Sequence, residues 1–246
     1  MSNNAFFKNY KVGLGILAVF FICLSIAIYL FQNYFLFRLL RAIICFTALS
    51  YLFVAHRKRI QKWIVGFLFF YGASSITTVW YENGTMASIS MILNFIAFLF
   101  LLWYIVPKVN LQNLSKTFTI LFILIVLVNG YLFFKLIELM KEMILSKTQY
   151  IFMLLDALCG ILLVFLSLLY NHSVNNAKSM SYALLIFLLI FGEIFRSIAY
   201  YNLAYGATFV YLGRIFFVLS MYMVVHFSFL ELKSTHSLKY PLPRTF

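Results

Sequence analysis

Long apolar runs separated by very short polar stretches make up almost the whole chain. Eight runs are predicted as helices, at Val12–Phe31, Tyr34–Ala55, Trp63–Trp80, Thr85–Val106, Phe118–Leu139, Tyr150–Tyr170, Ser179–Tyr201 and Thr208–Leu230. A helix of about 20 predominantly apolar residues crosses the hydrocarbon core of a bilayer. The connections leave no room for a soluble domain, so sequence neighbours are expected to pack as antiparallel pairs. The predicted fold class is all-α: a polytopic membrane helix bundle of about eight transmembrane helices, with residues 1–246 as a single integral membrane domain. The first run follows Lys8 and Lys11. It exceeds the ~7–15-residue apolar region of a secretory signal and has no small-residue cleavage pattern after it, so it is expected to remain as a helix.

Composition agrees. The chain is 65% hydrophobic and 10% charged, with mean hydropathy +0.99. That leaves too little polar surface to coat a water-soluble globule. Tyr and Trp gather at the ends of the runs, as in Tyr34, Trp63, Trp80, Trp103 and Tyr150, which fits an interfacial aromatic belt.

The net charge of +13 would suit nucleic acid, but its distribution excludes that reading. Loop cations cluster beside alternate ends of the runs: Lys8 and Lys11; Arg57, Lys58, Arg59 and Lys62; Lys108 and Lys116; Lys178; and Lys233, Lys239 and Arg244. This is the positive-inside pattern. It predicts both termini in the cytoplasm and an even number of crossings. The expected location is a bacterial inner (cytoplasmic) membrane, with membrane lipid as partner and no nucleic acid.

Cys23, Cys45 and Cys159 all fall inside runs and read as small hydrophobes. No Cys/His spacing suits a metal, and no cofactor is implied. Three glycosylation sequons, beginning at Asn83, Asn113 and Asn171, read as chance matches. Pro107 is expected to end the fourth helix. Lys135, Glu138, Lys141 and Glu142 recur at helical spacing, which predicts either an extension of the fifth helix with solvated charges or an interfacial helix on the outer surface. His226, near the inner end of the last run, reads as a satisfied histidine away from any site.

The candidate chemistry is the set of ionisable residues inside the runs. Charges at this depth cost at least ~2.5–3.5 kcal/mol each on insertion scales, so they pair or serve a function. Given the predicted topology, Arg38, Arg41, Asp156, Glu193, Arg196 and Arg214 all converge on the outer half of the membrane. Arg38/Arg41 and Glu193/Arg196 are i,i+3 pairs, so each pair shares a helix face. Tyr71, Ser74, Ser75, Thr78 and Glu82 form a polar stripe on the third helix, Ser90 and Asn94 continue it on the fourth, and the fifth adds Asn129. Together they predict an outward-opening cationic cavity. Guanidinium groups bind phosphate and carboxylate bidentately, which points to an anionic head group. The alternative is that the charges are structural ion pairs locking the bundle.

The pattern resembles the YhhN-like lysoplasmalogenase family. The run Phe187-Leu188-Leu189-Ile190-Phe191-Gly192-Glu193 is similar to that family's apolar run ending in Ser-Asp, with Glu193 at the acid. Gly66 to Ala73 is similar to its third-helix run ending in Gly-Asp, with Ala73 where the aspartate stands. Arg38 to Arg41 sits where the family has Lys-Pro. The resemblance implies hydrolysis of the vinyl ether of lysoplasmalogen-like lysophospholipids. One carboxyl would give a proton while another takes one. Glu193 is the matched acid, and Asp156 is the second by position. Arg38, Arg41, Arg196 and Arg214, with Ser74, Ser75, Thr78 and Asn94, would bind the substrate. The competing expectation is a non-catalytic lipid-binding, sensor or assembly subunit.

Overall fold

The computed structural model describes residues 3–56, 60–109, 116–201 and 206–239. Among them the chain is all-helical: α1 (Asn3–Leu30), α2 (Tyr34–His56), α3 (Lys62–Thr77), α4 (Gly84–Ile105), α5 (Lys116–Met140), α6 (Lys147–Val174), α7 (Ala177–Tyr200) and α8 (Gly206–Lys239). All eight carry a stretch long and apolar enough to cross a membrane.

Polar side chains in the connections set the helix ends. Asn33 Oδ1 accepts from the Leu36 amide at 3.0 Å at the start of α2. Asn83 caps α4 by accepting from the Thr85 amide at 2.9 Å. Ser146 caps α6, and Asn176 forms a capping box with Ser179 at the start of α7. These groups satisfy backbone donors that would otherwise be unpaired in an apolar surround. The sequon at Asn83 is therefore a helix cap. Pro107 sits in the 3-10 turn Val106–Lys108 that ends α4. The fifth helix continues to Met140 with Lys135 paired to Glu138 at 2.7 Å, and a 3-10 turn follows at Lys141–Met143.

Most sequence-adjacent helices pack together, but α5 departs from the expected order. The main contacts of α4 are with α3 and α6, while α5 lies against α6 at the edge. Only 11% of its apolar window is buried, and 17% of that of α1, against 56% for α3 and α8. The core is thus built from the helices between these two. Phe67, Tyr71, Leu101, Tyr182 and Phe227 are among its fully buried side chains.

The α1–α2, α3–α4 and α5–α6 connections lie at one end with the last turn of α7 and the first of α8, called upper here. The lower end is fastened by Glu231 near the end of α8. Its carboxylate pairs with Lys108 at 3.3 Å and with Lys178, and accepts from Tyr104 Oη at 3.0 Å. Tyr10 Oη and His226 Nδ1 are 3.0 Å apart nearby, so His226 is satisfied within the bundle.

Candidate ligand cavity

Four arginines line one cavity of about 700 Å³ at the upper end. Arg38 and Arg41 come from the second and third turns of α2, Arg196 from the end of α7 and Arg214 from the start of α8. Thr78, Glu82, Tyr29, Tyr34, Tyr81, Tyr200 and Tyr201 complete the polar and aromatic wall. The i,i+3 spacing brings Arg38 and Arg41 to one side of α2, and Arg196 beside Glu193 on α7.

Glu193 organises one side. Its Oε1 accepts from Arg41 Nη2 and from Tyr71 Oη, and Oε2 accepts from Arg196 Nε at 2.9 Å and from Arg196 Nη2. Arg41 Nη2 also donates to Tyr71 Oη at 2.5 Å, and its guanidinium stands 4.8 Å from the Phe217 ring centroid. One carboxylate therefore ties α2, α3 and α7 together. Both of its oxygens are occupied by protein donors.

Arg214 has no such counterpart. It is 7% exposed, and among the described residues no carboxylate pairs with it. Its Nη2 donates to the Phe37 carbonyl at 2.7 Å, and the guanidinium lies 3.9 Å from the Phe37 ring centroid. Its Nη1 and the Nε of Arg41 are buried donors without a hydrogen-bond partner among the described residues.

Arg38 is held at the mouth. Its Nη2 lies 2.6 Å from Glu82 Oε1, and Nη1 donates to Glu82 Oε2 at 2.9 Å and to the Val79 carbonyl at 3.3 Å. The hydrogen bond from Arg38 holds the Glu82 carboxyl below the usual glutamate range, against some opposing desolvation. Beside it, Gln149 is 1% exposed and donates to Tyr81 Oη at 3.1 Å and Tyr201 Oη at 3.3 Å. Burial pushes the Tyr81 and Tyr201 hydroxyls up, so both stay as neutral rim groups.

The remaining predicted residues are placed differently. Of the α3 stripe, Thr78 and Glu82 reach the cavity, but Ser74 and Ser75 do not line it. Ser74 Oγ donates to the Ser90 carbonyl at 2.9 Å, and Ser75 Oγ to the Tyr71 carbonyl at 2.8 Å. These hydroxyls satisfy the α3–α4 contact and the helix backbone. Asn94 Nδ2 donates to Asp156 Oδ2 at 3.1 Å. Both line a smaller chamber of about 70 Å³ that also touches Glu193. The two spaces share Met91, Arg196 and Ser197 on their walls. Among the described residues Asp156 Oδ1 is buried without a hydrogen-bond partner, and no arginine pairs with it. Asn129 is exposed on α5 and donates to its own Ile125 carbonyl at 2.8 Å, so it takes no part in the cavity. No group of three or more His, Cys, Asp or Glu suited to a metal occurs among the described residues.

Two residues central to this geometry carry little sequence signal. Tyr71 reads as one member of a stripe, and Gln149 as part of a connection. Its place immediately before an apolar run, three residues after a capping serine, is the only hint.

No family model, no curated protein and no solved structure matches this chain.

Proposed function

We propose that the chain spans a bacterial inner (cytoplasmic) membrane with both termini in the cytoplasm, and that the cavity takes an anionic lipid head group from the outer leaflet. The observation that carries the reading is Arg214: a buried guanidinium on a cavity wall with no carboxylate partner. An uncompensated buried charge costs several kcal/mol, and a bound anion relieves that cost. Arg38, Arg41 and Arg196 line the same space, and aromatic walls suit the glycerol and first methylenes of a lipid. In this reading Glu193 positions Arg41 and Arg196, and Thr78 offers a neutral contact.

A hydrolytic, YhhN-like version is the second reading. It is favoured by Asp156, whose Oδ1 is unpartnered in a chamber it shares with Glu193. It is weakened by the engagement of both Glu193 oxygens, since an acid–base pair needs one carboxyl free to exchange a proton with substrate.

The test is lipid retention by native mass spectrometry on Arg38→Ala and Arg214→Ala, beside hydrolysis of a lysophospholipid panel. Loss of anionic lipid in both variants supports the site. Unchanged retention with the fold intact rejects it and leaves the charges as structural ion pairs. Hydrolysis lost in Glu193→Gln and Asp156→Asn, with lipid still bound, moves the protein to the enzymatic reading.

A further inference from the structure

The charge distribution around the cavity distinguishes between kinds of anion. Arg38 is matched by Glu82, and Arg41 and Arg196 share the carboxylate of Glu193, which leaves Arg214 without one among the described residues; Asp156, the other buried acid, lies in the adjoining chamber. Three guanidiniums against one carboxylate leave a charge of +2 on the wall. Both orphaned donors there belong to this set, one on Arg41 and one on Arg214. A phosphodiester carries a single negative charge and would leave +1 uncompensated. A phosphomonoester carries about −1.5 to −2 near neutral pH and offers three terminal oxygens.

We propose that the cavity is built for a phosphomonoester-type dianion, with Arg214 and Arg41 as its direct contacts. The inference rests on the head-group reading above and narrows it. The monoester inserts between α2 and α8. One terminal oxygen accepts from Arg214 and another from Arg41, while Arg196 supports from α7 through Glu193. A guanidinium presents its donors in a planar fork matched to two phosphate oxygens. Glu82 keeps Arg38 engaged at the mouth, so the charge that meets the ligand on the inner wall stays near +2. The ester substituent points toward Phe37, Phe217 and Val210. A lipid monoester and free inorganic phosphate share this chemistry, and the cavity volume leaves apolar space that inorganic phosphate alone does not fill.

The experiment compares four probes on the purified full chain in detergent: phosphatidic acid, phosphatidylglycerol, inorganic phosphate and, as the neutral reference, phosphatidylcholine. Wild type should retain phosphatidic acid over phosphatidylglycerol by at least about tenfold, the scale of one charge-assisted contact. Arg214→Gln removes one charge and should erase that preference, with circular dichroism and heat unfolding confirming the fold. Glu82→Gln leaves Arg41, Arg196 and Arg214 in place and should keep the preference. Inorganic phosphate that binds as tightly as phosphatidic acid would keep the dianion and assign it to a solute. Phosphatidylglycerol held as well as or better than phosphatidic acid, with both lost in Arg214→Gln, overturns the dianion while leaving the head-group site. Neither lipid held above phosphatidylcholine, in wild type and variant alike, overturns both.

Discussion

Gly192 on α7 faces Gly213 on α8 where the two helices cross. A Cβ on Gly213 would stand 3.5 Å from the Gly192 carbonyl oxygen and 3.2 Å from the Arg196 backbone nitrogen. The contact is backbone against backbone, and it fixes the residues that follow each glycine, Glu193 and Arg214. Small residues allow such approach between helices in lipid, where packing rather than water exclusion drives association.

Replacing Gly213 by Ala should shift α8 by a few tenths of an ångström. Replacing it by Leu should part the helices, at the ~1–3 kcal/mol typical of overpacking. Heat unfolding in detergent should show Leu well below Ala. Anionic-lipid retention should fall with it, because Arg214 moves away from Arg41. A Leu variant as stable as wild type would mean that the crossing does not hold the site.

Glu193→Gln should be among the most destabilising single changes in the chain. It strips the countercharge from Arg41 and Arg196, and breaking a buried pair costs about 3–5 kcal/mol. Tyr71→Phe removes one donor to the same carboxylate and should cost less, about 1.5–3 kcal/mol. Unfolding midpoints of the two variants check the order, and the reverse order would place the network's stability elsewhere.

The mouth contact has a defined pH response. The folded-state pKa of Glu82 is depressed, so its contribution is present above the unfolded glutamate value of 4.5 and is lost as pH falls below it. Glu82 is 66% exposed, which limits the gain to the small scale of surface pairs, under about 1 kcal/mol. Wild type and Glu82→Gln should differ slightly in unfolding midpoint at neutral pH and converge below pH 4.5. A gap that widens on acidification would contradict the pairing.

Orientation is checked with reporter fusions. Fusions after Lys62 and after Lys178 should report cytoplasm, and fusions at Glu82 and Lys147 the opposite side, as loop cations dictate. A cytoplasmic signal at Glu82 would turn the cavity toward the cell interior and remove the outer leaflet as its source of ligand.

Eight runs were legible because membrane-length hydropathy is a strong signal and short loops allow few alternatives. The gathering of Arg38, Arg41, Arg196 and Arg214 was legible too, since depth along each run and i,i+3 spacing act together. The polar stripe on α3 misled in part. Spacing places Ser74 and Ser75 on one side of the helix, but a serine hydroxyl readily bonds a nearby carbonyl, and periodicity cannot tell that use from a ligand contact. Asn129 failed for the same reason, with its amide turned onto Ile125. Glu82 is legible as the end of the α3 stripe, but its ion pair with Arg38 was not, because the partner lies 44 positions away in sequence. The role of Glu231 was hidden at the end of a run, where nothing local announces two lysines arriving from α7 and from the turn after α4.

That clasp around Glu231 makes the two ends of the molecule unequal. Below, the buried carboxylate is met by two lysines and a tyrosine hydroxyl. Above, the buried guanidinium of Arg214 has no carboxylate partner among the described residues. If the proposed anion fills the cavity, cohesion among α2, α7 and α8 at the upper end becomes partly a property of that occupant. Preparations carrying different amounts of it should melt at different temperatures, in proportion to RT ln(1 + [L]/Kd). A detergent wash thorough enough to strip the occupant would loosen one end of the bundle and spare the other.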